Sequence, residues 1–135
     1  MSLDRFIDKQ ELYYNTALDE IKNGKKVSHW MWYIFPQLKD LGHSYNSKYY
    51  GIEDLKEAKA FLENELLREH LIEITSELLK LDGNIESILG FPDNLKLNSS
   101  MTLFYYASYI KLFKDVVDKF YDGNFDELTK NIIKK

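Results

Sequence analysis

Apolar residues recur every three to four positions along almost the whole of this chain, and nowhere do they alternate with period two for long enough to demand a sheet. The clearest stretch runs from Glu65 to Leu81, where Leu67, Leu71, Ile74, Leu78 and Leu81 step by four and three along one helical face. Residues 3–23 carry Leu3, Phe6, Ile7, Tyr14, Ala17, Leu18 and Ile21 at the same spacing, with Ser2 as a cap and Asn23-Gly24 as the stop. Glu53 to Asn64 is amphipathic through Leu55, Ala58, Phe61 and Leu62, and Asn84 caps a short helix ending at Gly90. Residues 91–98 read as a polar loop, from which Ser99 caps a long helix reaching about Tyr121, with Tyr109-Ile110 as a weak bend that would divide it. Asp126 caps a last helix over residues 126–134, and residues 38–51, rich in Gly, Asn and Ser, read as an ordered loop with one helical turn. The pattern predicts an all-α fold: one compact domain over residues 1–135, six to eight helices, no substantial sheet.

A chain of 135 residues can bury a real core without staples. It has none to offer in any case, because cysteine is absent, which also removes thiolate metal sites and a cysteine nucleophile. The three histidines, His29, His43 and His70, show no metal-ligand spacing, and neither a metal nor an organic cofactor is expected. The opening Met-Ser-Leu-Asp-Arg-Phe lacks a signal-peptide layout and no apolar run is long enough to span a bilayer, so a cytoplasmic protein without membrane attachment is expected. A net charge of −4 argues against duplex nucleic acid as a partner. The charge is uneven: residues 1–50 hold seven Lys/Arg against six Asp/Glu, whereas residues 51–135 hold eleven against sixteen.

Within the less acidic part lies the densest aromatic run, Ser28-His29-Trp30-Met31-Trp32-Tyr33-Ile34-Phe35-Pro36-Gln37, which contains both tryptophans. Ser28 is the natural N-cap of a helix of about two turns ending at Phe35, before Pro36 limits extension. In that frame Trp30, Tyr33 and Gln37 share a face. Met31, Ile34 and Phe35 are best explained as core, while Trp30, Trp32 and Tyr33, whose N–H and O–H groups need partners, are the better candidates for a pocket wall that stacks a planar ring. Lys25 and Lys26 precede this helix start, where cations oppose the helix dipole; an anion bound to the free N–H groups would relieve the conflict. Lys96 stands in the same relation to Ser99, so the two helix starts are candidates to converge on one phosphate or carboxylate. Solvated loop lysines and plain caps account for the same spacing. His29 is the candidate general acid or base, and equally a structural hydrogen-bonder near a helix start.

Several segments together resemble one bacterial family of unknown function, some of whose members carry a mistaken calpastatin label. They are Leu3-Asp4-Arg5-Phe6, Gly24-Lys25-Lys26, the Ser28–Gln37 run, Leu41-Gly42-His43-Ser44, Tyr50-Gly51-Ile52, Glu57-Ala58-Lys59-Ala60-Phe61-Leu62, Ser99-Ser100-Met101-Thr102-Leu103-Phe104 and Asp118-Lys119-Phe120-Tyr121-Asp122-Gly123. The resemblance spans nearly the whole chain and implies a single, mainly helical domain; it brings no substrate or catalytic residue. Residues 63–66, Glu-Asn-Glu-Leu, lack the His-Pro usual in that family, which implies a more continuous helix there.

The functional expectation is a domain that binds a small anionic ligand with a planar ring, of the nucleotide or nucleotide-sugar type, with metal-independent hydrolysis or group transfer as the fitting chemistry. Trp30, Trp32 and Tyr33 would wall the ring, Lys26, Lys96, Ser28 and Ser99 would hold the anion, and His29 and Gln37 would orient the recognised group. The alternative is a protein-interaction module that presents the aromatic segment as a partner-binding patch.

Overall fold

The computed structural model describes residues 2–134, and these form nine α-helices and no strand. The first, α1 (Asp4–Lys22), begins where the Ser2 hydroxyl accepts the Asp4 N–H at 3.0 Å and ends at Gly24, whose φ of +81° is a left-handed turn that a side chain would strain. A single helical turn, α2 (Met31–Ile34), follows. The next segment holds a 3₁₀ turn at Lys39–Leu41 and a short helix, α3 (Tyr45–Tyr49). Then come α4 (Leu55–Glu63), α5 (Glu65–Leu79), α6 (Ile85–Leu89), α7 (Asp93–Ser108), α8 (Lys111–Phe120) and α9 (Glu127–Ile133).

Capping explains most of these boundaries. Asn84 and Asp126 each accept backbone N–H groups of the first turn beyond them, as their positions in the sequence predict, and Asp54 does the same for α4. Asn64 does the same for Leu67 at 3.1 Å while also ending α4. The expected continuity across residues 63–66 is therefore wrong: one Asn with an extended ψ of 120° breaks the chain without a proline.

A second correction concerns Ser99. It is not a cap but lies midway along α7, which starts six residues earlier at Asp93. Its hydroxyl bonds back to the Leu95 carbonyl at 3.4 Å, a pattern of helix interiors. Pro92 provides the start, since it needs no N–H at that position, and Asp93 suits the positive end of the dipole. The helix then threads the middle of the molecule: Leu97 and every residue from Ser99 to Phe104 are buried. The bend at Tyr109 is a true division between α7 and α8, with φ at +57°, and the Ser108 hydroxyl accepts the Ile110 N–H at 3.1 Å.

A row of rings, Phe6, Phe61, Phe104 and Phe113, runs through the core from α1 to α8 with centroids 5.1 to 6.1 Å apart. Such pairs add ~0.5–1.5 kcal/mol each beyond their burial. Two features hold the segment after α2 against this core. The Gln37 carbonyl accepts the Ile52 N–H, and the Ile52 carbonyl accepts the Lys39 N–H, each at 2.8 Å, which closes the intervening residues into a loop with its ends clasped. Buried Arg5 then donates to the Gly51 carbonyl at 3.0 Å and to Glu57 at 2.8 Å, tying α1 and α4 to the foot of that loop.

Candidate functional site

The anion that the Lys25–Ser28 segment calls for is supplied by the chain itself. One Glu20 oxygen accepts the Val27 N–H at 2.7 Å, the Ser28 N–H at 2.9 Å and the Trp30 indole N–H at 2.9 Å; the other accepts the Ser28 hydroxyl at 2.6 Å. Partial burial by itself would raise the Glu20 pKa, but the four donors outweigh it and hold the group down at about 2. Ser28 is consequently not a helix cap: α2 starts three residues later, and the free N–H groups expected to face a ligand close on Glu20 instead. Helical phase is lost with it, so Trp30, Tyr33 and Gln37 share no face.

The lysines meet a similar fate. The Lys26 ammonium sits 2.9 Å from one Asp93 oxygen and 5.2 Å from the Trp30 ring centroid, nearly sealed from solvent. Lys96 reaches the other Asp93 oxygen at 3.7 Å and lies 5.6 Å from the Trp32 ring centroid. The two segments do not converge on one pocket as expected; what brings them together is Asp93 at the start of α7, which both lysines reach. Two ammonium groups share one carboxylate, which leaves one positive charge in excess beside Trp32.

From Trp30 to Pro36 every residue but Trp32 is buried, because the single turn of α2 lies on the core with one edge out. Met31, Ile34 and Phe35 are core, as expected. Trp30 is core as well, only 1% exposed, so it cannot stack an incoming ring. Tyr33 is buried except at its edge, Trp32 is half-buried, and His29 is exposed. Tyr33 is held from below: buried Gln10 donates to its carbonyl at 2.9 Å while the Gln10 oxygen accepts from His70 Nδ1 at 2.8 Å.

What remains exposed of this run forms one wall of a cleft of about 440 Å³. His29, Trp32 and Tyr33 line the cleft together with Lys9, Tyr13 and Thr16 of α1, Asn46 and Tyr50 of the clasped loop, Ser28 and the small accessible edge of Trp30. The rings are in mutual contact, with Tyr33 to Tyr50 at 5.4 Å and Tyr33 to Tyr13 at 6.1 Å between centroids. Burial, helped by the neighbouring phenols, pushes Tyr33 up to about 12 and raises Tyr50, so both remain O–H donors at neutral pH. Lys9 lies 5.5 Å from the Tyr13 ring and makes no ion pair among the described residues. Lys9, Tyr13 and Thr16 escaped the sequence reading, although their i, i+4, i+7 spacing marks the polar face of α1 and Tyr13 is a large ring on that face.

Gln37, Lys96 and Ser99 are placed elsewhere. They line a second cleft of about 350 Å³ with Asn98, Asp126, Leu95 and Leu128. A small saddle of about 10 Å³ lies between them, sharing Trp32 and Tyr50 with the first cleft and Gln37 and Lys96 with the second.

An all-α domain with an aromatic cleft between its first helix and a clasped loop defines this protein structurally. The chain belongs to the family described as protein of unknown function (DUF1810), whose model matches residues 1–133. Among solved structures it is similar to the conserved hypothetical protein Rv1873 from Mycobacterium tuberculosis, at 41% identity over 98% of this chain and 96% of that one, with a TM-score of 0.96. No curated protein matches the chain. No helix of the described residues is long and apolar enough to cross a membrane.

Proposed function

We propose that this domain binds a small planar-ringed ligand carrying an anionic group, of the nucleotide type, in the cleft between α1 and the His29–Tyr33 segment. The observation that supports this best is the composition of the cleft walls. Trp32, Tyr13 and Tyr50 offer ring faces and edges; Asn46 and Thr16 offer hydrogen bonds to a heterocycle's rim; Lys9 offers a cation without a carboxylate partner among the described residues. A concave aromatic surface with a few polar groups is how proteins hold such ligands. The partner-patch alternative needs both tryptophans on an open face, and Trp30 is sealed. His29 stands at the cleft with no side-chain hydrogen bond among the described residues. It is thus free to exchange a proton with a bound ligand in a metal-independent hydrolysis or group transfer.

The test is a titration of nucleoside monophosphates followed by thermal shift and tryptophan emission. A bound ligand at a hundredfold excess over its Kd adds about 2.7 kcal/mol of stability. Stabilisation by at least one of them is expected, weakened about tenfold or more in Trp32→Ala and severalfold in Lys9→Ala. His29→Gln should leave affinity within about threefold and remove any product formation seen by chromatography. No shift with any monophosphate or nucleoside at millimolar concentration would refute the reading.

A further inference from the structure

We infer that the ligand has two heads joined by an anionic link and lies astride Trp32, with its planar ring in the first cleft and a hydroxylated, uncharged group in the second; its class is a nucleoside diphosphate sugar. This rests on the ring-binding reading of the first cleft and deepens it.

Three observations carry the inference. The first is adjacency: the saddle between the two clefts shares Trp32 and Tyr50 with the first and Gln37 and Lys96 with the second. The second is the distribution of charge along that path. At the saddle, Lys96 is the uncompensated cation of the Lys26–Asp93–Lys96 group, and the Gln37 side-chain amide makes no hydrogen bond among the described residues. A cation and a free N–H₂ donor side by side suit phosphate oxygens.

The third is the chemistry of the second cleft. Asp126 lies in its wall and repels a phosphate. Asp126 spends one oxygen on Thr129 and Asn98 spends one N–H on the Asn124 carbonyl, which leaves Asp126 Oδ1 as an acceptor and the second Asn98 N–H as a donor of the kind that sugar hydroxyls use. Leu95 and Leu128, both more than half exposed, supply an apolar side for the carbon face of a sugar ring. The two compartments differ in charge: the second has the Asp126 carboxylate in its lining, and the first has no carboxylate among its lining residues.

The experiment is calorimetric titration of three graded series: UMP, UDP and UDP-glucose; AMP, ADP and ADP-glucose; GMP, GDP and GDP-mannose. In the series whose base fits, each step is expected to tighten binding by about tenfold. Lys96→Ala should cancel the monophosphate-to-diphosphate gain. Leu128→Trp, at a solvent-exposed position where folding is not at stake, should fill the second cleft and cancel the sugar gain. Neither substitution should change monophosphate affinity by more than about twofold. The inference is overturned if monophosphates bind and the diphosphate sugar binds no tighter, or if the sugar gain survives Leu128→Trp. If the monophosphates themselves fail to bind, the first cleft's ring-binding role falls, and the two-headed ligand with it.

Discussion

Replacing Glu20 with Gln removes the charge that organises the aromatic segment while keeping the side chain's size. In the folded protein this carboxylate takes four hydrogen bonds, and its pKa falls from 4.5 to about 2. At about 1.36 kcal/mol per pKa unit the ceiling on its contribution is roughly 3 kcal/mol. Water reaches part of the group, and Gln retains one acceptor oxygen, so about half that value, ~1.5 kcal/mol, is the reasonable loss at pH 7. For a domain of this size that is a fall in Tm of about 5 °C.

The pH dependence makes the argument specific. The folded pKa is depressed, so the contribution is complete above the ordinary value of 4.5 and vanishes as the pH falls through about 2. At pH 3 roughly three-fifths of it should already be gone. Urea unfolding of wild type and Glu20→Gln at pH 7, 5, 4 and 3 reads this directly, because every other carboxylate is common to both proteins. A stability gap below about 0.3 kcal/mol at pH 7, or one that does not narrow between pH 5 and pH 3, would refute the claim that Glu20 is held as an anion by this segment.

Trp30→Ala should cost about 3–5 kcal/mol in urea unfolding, because its ring is sealed in the core. Trp32→Ala should cost under about 1.5 kcal/mol, because half-buried Trp32 borders the cleft. Gly51→Ala should destabilise by about 2–3 kcal/mol, since the added methyl would meet the Lys39 backbone and lie 2.7 Å from the Ser47 carbonyl oxygen; a silent change in thermal unfolding would mean the clasped loop is loosely seated. Burial holds His70 below its usual 6.5, and Glu73 and Glu69 offset only part of that, so the unfolded chain takes up this proton first. Stability should therefore fall as the pH drops below about 6.5, and the urea midpoints of wild type and His70→Gln should move closer together between pH 7.5 and 5.5.

The helices were largely legible because their signals are local. Apolar spacing located α1, α4 and α5, and Asn84, Asp126 and Gly24 marked ends through side-chain chemistry or a left-handed φ that works the same way in any context. Two boundaries failed where the deciding contact is not local. Leu97 and Ser99 to Phe104 are buried all round, so α7 has no polar face to give a period, and its polar first turn, Asp93 to Asn98, resembles a loop. Ser28 has the sequence of a cap, and only Glu20, eight residues upstream across the Gly24 turn, shows that its hydroxyl is already engaged. The site was half legible for the same reason. Trp32, Tyr33 and His29 border the cleft as their chemistry suggested, whereas Asn46 and Tyr50 reach it only because the Gln37–Ile52 hydrogen bond clasps their loop, a pairing of two segments fifteen residues apart with no local signature.

The placement of Glu20 and Asp93 also changes what a ligand can draw on. A sequence with Lys25, Lys26, a helix start and a second lysine-bearing segment invites an electrostatic account of binding. In the folded chain the N–H groups of that segment point at Glu20, and Lys26 is matched by Asp93 in a nearly buried pair. Neither can be redirected to a ligand without taking donors from Glu20 or the nearer of its two cations from Asp93. What is left facing solvent is one cation on each side of Trp32: Lys9 at the ring cleft and Lys96 at the saddle. One exposed charge contributes ~1 kcal/mol or less at physiological salt, and a stacked ring contributes ~1–3 kcal/mol. Affinity for a ligand held here must therefore come chiefly from the aromatic walls, with the two lysines setting where along the groove its charge can lie.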